Sequence, residues 1–173
     1  LYITGAGSEA RLESCAVTTN VASDQGGAIW LSNGQCEVVS CTVEANHAAR
    51  GGVLYATIGS RSLFVNVLAA ANKGTTDGGG IYLVGGTVDL VNCTFHRNTA
   101  DSGLAAQLHA GSGTRIAASN SIFWRLDTDA AEMFQTLGTG QIDLSYSVVA
   151  GGWPGATNTT ADPLFADLDG PDD

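Results

Sequence analysis

Glu37 and Asp89 stand 52 residues apart, with Leu63 midway between them. Two carboxylates held at a suitable separation could protonate a glycosidic oxygen and activate or replace the attacking water. Four aromatic residues, Tyr2, Trp30, Tyr55 and Tyr82, recur at intervals of 25 to 28 residues. Rings spaced along one face could stack on sugars or on the apolar surface of a partner. Asp167, Asp169 and Asp172 crowd around Gly170 as carboxylates do in calcium loops, although the Glu that closes an EF-hand loop is missing. Calcium is therefore the one ion the chain suggests, and no other cofactor motif is present. The four cysteines, Cys15, Cys36, Cys41 and Cys93, form no CxxC, so a zinc site is not expected.

Whether any of these groups meet depends on the elements that carry them. The chain has 173 residues, 23 glycines, three prolines and 44% hydrophobic residues. That is apolar enough for one domain with a substantial core. Val, Thr, Ile and Gly dominate its periodic parts, which favours short strands between tight turns. A net charge of −10 argues against a nucleic-acid partner, since phosphates need clustered Lys and Arg. No apolar run is long enough to span a bilayer, so membrane insertion is not expected. The chain starts at Leu1 with no basic leader, and it begins and ends inside its own pattern, which suggests a piece of a longer protein.

The pattern is a repeat. GGAIWLSNGQCEVVSCTVEAN (26–46) returns as GGGIYLVGGTVDLVNCTFHRN (78–98) without a gap, and Asn20, Asn46, Asn72 and Asn98 keep a strict period of 26. Cys15, Cys41, Val67 and Cys93 keep the same step, as do the glycine pairs at 26, 51 and 78 approximately. A fixed period of this size is the signature of a solenoid. Within a unit, alternation points Ile29, Leu31, Cys36, Val38, Cys41 and Val43 one way and Trp30, Glu37 and Thr42 the other. Three short strands per turn around a self-filling interior predict a right-handed parallel β-helix, all-β, of about six coils of roughly 26 residues. The expected coils are 1–24, 25–50, 51–77, 78–101, 102–126 and 141–165. Residues 127–140 are expected to be an insertion with a helical turn at Asp129–Phe134, and 166–173 an acidic tail.

This frame explains most of the reactive residues structurally. The asparagines suit left-handed turns and can hydrogen-bond from coil to coil, and the cysteines fall on inward positions as buried thiols. On the second strand the outward column reads Arg11, Glu37, Leu63, Asp89, Arg115. Each acid then has a basic neighbour, and such cross-coil pairs are worth a few tenths to about 1 kcal/mol. The first-strand outward positions are Ala28, Trp30, Val53, Tyr55, Gly80, Tyr82 and Gln107, with no charged residue or His among them. His47, His96 and His109 are expected in turns or at strand edges. What remains is the aromatic column, the candidate binding face.

GGAI at Gly26–Ile29 and FHRN at Phe95–Asn98 resemble the paired GGA[ILV] and FxxN tetrapeptides of the chlamydial polymorphic outer-membrane protein repeat, shared by many secreted bacterial β-helix proteins. GGVL at Gly51 and GGGI at Gly78 are near matches to the first. The resemblance spans about residues 1–126 and implies an adhesin, a passenger domain or another exoprotein. The expectation is thus a non-catalytic scaffold, secreted or at the cell surface, for adhesion, display or binding, with a polysaccharide or a surface protein as partner. Two alternatives stand beside it. One is a fragment of a polysaccharide-active lyase, hydrolase or epimerase. The other is a filament subunit that self-associates through its coil ends.

Overall fold

The computed structural model describes residues 1–101, 105–125, 132–155 and 157–165. Three six-stranded parallel sheets run the length of the stack. The first holds Tyr2–Thr4, Ile29–Ser32, Leu54–Ala56, Ile81–Leu83, Leu108–Ala110 and Phe134–Thr136. The second holds Glu9–Glu13, Gln35–Val39, Arg61–Val65, Thr87–Val91, Arg115–Ser119 and Gln141–Ser145. The third holds Ala16–Thr18, Thr42–Glu44, Leu68–Ala70, Thr94–His96, Ile122–Trp124 and Val148–Val149. A fourth, three-stranded sheet, His47–Arg50, Lys73–Asp77 and Thr99–Ala100, covers the return to the first. The expected all-β parallel β-helix is therefore what the chain forms.

Corners are made by single residues in the left-handed region. Ser14, Ser40, Asn66, Asn92, Asn120 and Tyr146, all with φ between 50° and 55°, turn the chain from the second sheet to the third. Thr19, Ala45, Ala71 and Arg97 do the same after the third. One αL residue between two extended segments bends the chain sharply without a loop. The glycine pairs mark the return corner. Gly51 has φ +69°, and a Cβ on Gly52 would overlap the carbonyl oxygen of Gly79 one coil on. The pair thus serves a conformation and a close approach.

Alternation sends Ile29, Leu31, Val38, Val43, Phe64, Leu83, Val88, Phe95, Ile116 and Phe123 into a continuous core. Each large side chain buried there contributes about 1.5–3 kcal/mol. The asparagine column runs beside it. Asn20 donates from Nδ2 to Asn46 Oδ1 at 2.8 Å, Asn46 to Asn72 at 3.0 Å and Asn72 to Asn98 at 2.9 Å. Asn98 Nδ2 then donates to Gln107 Oε1 at 2.7 Å.

The cysteines do more than fill space. The Cys15, Cys41 and Cys93 thiols reach the carbonyls of Glu13, Val39 and Val91, each two residues earlier. Cys41 Sγ also accepts the Cys15 amide at 3.4 Å. In later coils Ser121 and Ser147 hold the same place, with Ser121 Oγ accepting the Cys93 amide at 3.1 Å and Ser147 Oγ that of Ser121 at 3.2 Å. The column satisfies amides that the αL corner turns away from the sheet ladder.

Several sequence expectations need correction. Phe134–Thr136 lies inside the expected 127–140 insertion, yet it is the sixth strand of the first sheet, paired with Leu108–Ala110. Phe134 points inward and meets Phe123 edge-on at 5.3 Å, and that packing fixes the strand without a preceding glycine pair. Phe134 therefore opens a strand rather than closing a helical turn, and the rest of that turn up to residue 131 lies outside the described residues. Ala28 and Val53 are core residues, and Gln107 is buried in the asparagine column, so none of the three faces outward. Cys15, on the first coil, is exposed rather than buried. Opposite Asp89 stands Ala117, whereas Arg115 stands opposite Thr87.

Candidate functional site

The register of the first sheet places Tyr2, Trp30, Tyr55, Tyr82, His109 and Gln135 in one outward column. All four expected aromatics are there. His109, expected at a strand edge, is the middle residue of Leu108–Ala110 and the fifth ring of the column. The signal that could have found it is local: Leu108-His109-Ala110 copies the inward-outward-inward order of Ile81-Tyr82-Leu83.

The rings form two stacks. Tyr2 and Trp30 lie 4.2 Å apart and within 4° of parallel. Tyr55 and Tyr82 are 5.7 Å apart, and Tyr82 and His109 are 4.0 Å apart. In-register strands force such stacking, since residues one coil apart point the same way at the sheet spacing. Stacking consumes ring faces. Tyr55 is 7% exposed and His109 2%, while Tyr2 is 68% exposed. Surface available to a ligand is therefore concentrated at the Tyr2–Trp30 end.

A polar column flanks the rings. Gln25, Arg50 and Asp77 are neighbours across successive coils. Gln25 Oε1 accepts the Trp30 indole N–H at 3.2 Å and fixes that ring. The Arg50 guanidinium sits 6.0 Å from the centre of the Tyr82 ring, within reach of a cation–π attraction. Burial raises the phenols of Tyr55 and Tyr82 above their ordinary range, so both stay neutral hydrogen-bonding groups at physiological pH. Burial lowers His109, with Asp77 and Gln135 opposing and Arg50 reinforcing the shift. Beside Tyr2 and Trp30 opens a shallow depression whose wall includes Asn20, Val21, Asp24 and Gln25. Exposed ring edges beside carboxylate and amide groups suit a ligand that offers hydroxyls and apolar C–H faces.

The second sheet carries the carboxylate pair. Glu37 bonds Arg11, which also reaches Glu13 at 3.1 Å. Asp89 lies 3.7 Å from Arg115, whose Nε donates to Asp143 at 3.0 Å. Leu63 and Arg61 line the hollow between the two acids. Glu37 is half-buried and Asp89 exposed, and each is already paired with an arginine. Among the described residues no three His, Cys, Asp or Glu side chains are grouped to hold a metal. Asp167, Asp169 and Asp172, the expected calcium ligands, lie outside the described residues.

A family model described as "Right handed beta helix region" matches residues 1–132. No curated protein and no solved structure matches the chain.

Proposed function

Taking its membership of the right-handed β-helix family as the premise, we propose that the chain is a non-catalytic binding scaffold whose first-sheet face docks a polysaccharide through Tyr2 and Trp30. The observation that carries this reading is the parallel pair of exposed Tyr2 and half-buried Trp30 beside a depression that includes Asp24 and Gln25. The pair is rigid before any ligand arrives, because its rings are stacked and the indole N–H is held by Gln25. Preorganised aromatics lose little freedom on binding. The likeness of GGAI and FHRN to repeats of chlamydial polymorphic outer-membrane proteins is what favours a secreted or surface-exposed bacterial setting. A surface protein could dock on the same rings. Self-association is favoured least at the C-terminal end, where Trp153 packs edge-on against Phe134 at 4.9 Å. Calcium at the acidic tail remains part of the proposal.

The enzyme alternative has one observation in its favour: Arg50, Tyr82, His109 and Asp77 form a mixed acid–base group on this face. Against it, His109 is sealed from solvent at 2% exposure. Titration of tryptophan fluorescence with neutral and acidic polysaccharides, with and without calcium, separates the readings. Saturable quenching that disappears in Trp30→Ala and leaves the glycan intact supports a binder. Depolymerisation of any glycan in the panel would replace the scaffold with the enzyme. Quenching that survives in Trp30→Ala would move the site elsewhere.

A further inference from the structure

His109 is the one titratable ring in its column whose ordinary pKa lies near neutrality, and it occupies the most enclosed position there. Its imidazole is held between Tyr82, stacked at 4.0 Å, and Gln135 of the next coil. Its Nδ1 is buried with no hydrogen-bond partner among the described residues. A bare acceptor nitrogen is tolerable in a neutral ring. An imidazolium would turn it into a buried N–H donor with nothing to receive it, and would add a charge.

We propose that His109 is a proton-operated latch on the fifth and sixth coils: neutral, it closes the stack between Tyr82 and Gln135; protonated, it leaves the stack and loosens the coils it joins. The groups that face it are Tyr82 from the fourth coil, Gln135 from the sixth, and Asp77 and Arg50 from the fourth sheet. Asp77, the Tyr82 ring face and the Gln135 hydrogen bond favour a cation here; burial and Arg50 oppose it. Burial is the largest influence and the net direction is downward. A His whose folded pKa is depressed binds fewer protons folded than unfolded, so the stability it contributes is complete above about pH 6.5 and is lost as pH falls below that. While the unfolded His is protonated and the folded one is not, the folding equilibrium constant falls up to about tenfold per pH unit. The proposal is independent of what the face binds.

The test is urea unfolding of the whole chain at pH 7.5, 6.5 and 5.5, for the wild type, His109→Phe and His109→Gln. His47, His96 and every carboxylate are common to all three and cancel. Hydrogen exchange of Leu108–Ala110 and Phe134–Thr136, corrected for the intrinsic pH effect, reports the local opening. The wild type should lose stability between pH 6.5 and 5.5 and exchange faster in those strands. Phe, which extends the stack, and Gln, which is neutral and smaller, should lose less stability over that range and show no added exchange in those strands. Equal pH dependence in the wild type and either folded variant would overturn the latch. So would an imidazole resonance of His109 that titrates at or above pH 6.5.

Discussion

Asn72 is fully buried, and its side-chain amide makes five hydrogen bonds. Oδ1 accepts the Asn46 backbone N–H at 2.9 Å and the Asn46 Nδ2 at 3.0 Å. Nδ2 donates to Val43 O at 2.8 Å, Ala70 O at 3.0 Å and Asn98 Oδ1 at 2.9 Å. Replacing it by alanine leaves some of these groups served. Asn46 Nδ2 keeps the Val17 carbonyl, and Asn98 Oδ1 keeps the Asn72 amide. The Asn46 backbone N–H loses its acceptor, at a cost of about 1–3 kcal/mol for a buried orphan. Two further bonds lost at roughly 1 kcal/mol each bring the expected loss to about 3–5 kcal/mol. Asn72→Asp is the sharper probe. Its carboxylate can still accept from Asn46 but would face three oxygens with no proton to share. It should be less stable than Asn72→Ala at pH 7.5. Its folded pKa would be raised, so it should recover stability as pH falls and the carboxyl gains a proton. Urea unfolding followed by circular dichroism reads both. A loss below about 1 kcal/mol for alanine, or an aspartate variant as stable as alanine at pH 7.5, would show that this ladder does not satisfy the corner amides.

Three other predictions follow from the same columns. Burial holds the Cys36 thiol up near 11 and raises Cys93, whereas Cys15 is exposed; a thiol reagent at pH 8 should label Cys15 alone in the folded protein, and a second fast thiol would contradict the packing. Val67 is the member of the thiol–hydroxyl column that offers no acceptor to the Cys41 amide; Val67→Cys should raise stability by about 0.5–1 kcal/mol, and a loss of more than that in thermal or urea unfolding would refute the role given to the column. A Cβ at Gly52 meets backbone on the next coil; Gly52→Ala should cost about 4 kcal/mol or more, and a midpoint near the wild type would mean the corner can shift.

The coil frame was legible because the residues that keep a strict step of 26 are those whose side chains are locked to the coil above. Asn20 to Asn98 are spaced by cross-coil hydrogen bonds at every level and Cys15 to Cys41 by one more, so a slip would break a bond at each step of the asparagine column. The candidate site was less legible because its column obeys another rule. Tyr2, Trp30, Tyr55, Tyr82, His109 and Gln135 are separated by 28, 25, 27, 27 and 26 residues. Extra residues enter the chain on either side of the strand, and sheet pairing restores the register afterwards. Carrying a step of 26 past Asp89 put Arg115 opposite it, whereas one extra residue before Leu108 and one in the turn at Gly111 to Thr114 together shift that strand by two. Arg115 still reaches Asp89 because its side chain is long. Phe134 was missed for a related reason: it has no glycine pair before it, and its place is set by the phenyl ring of Phe123 rather than by a local signal.

The asparagine ladder also has a direction. From Asn20 to Gln107 every bridging side-chain oxygen faces its N-terminal neighbour and accepts from the Nδ2 of the earlier residue, while the second Nδ2 hydrogen of Asn46, Asn72 and Asn98 turns back to the carbonyls of Val17, Val43 and Ala69. Five side-chain amides are joined by four such bonds, each polarising the next, and in every one the oxygen lies on the N-terminal side of its own amide. A unit grafted onto this array must present oxygen to its N-terminal neighbour and nitrogen to its C-terminal one. Reversed, it would set oxygen against oxygen in a sealed interior. The ladder therefore fixes polarity as well as register, and coils can be added, removed or exchanged only without turning them round.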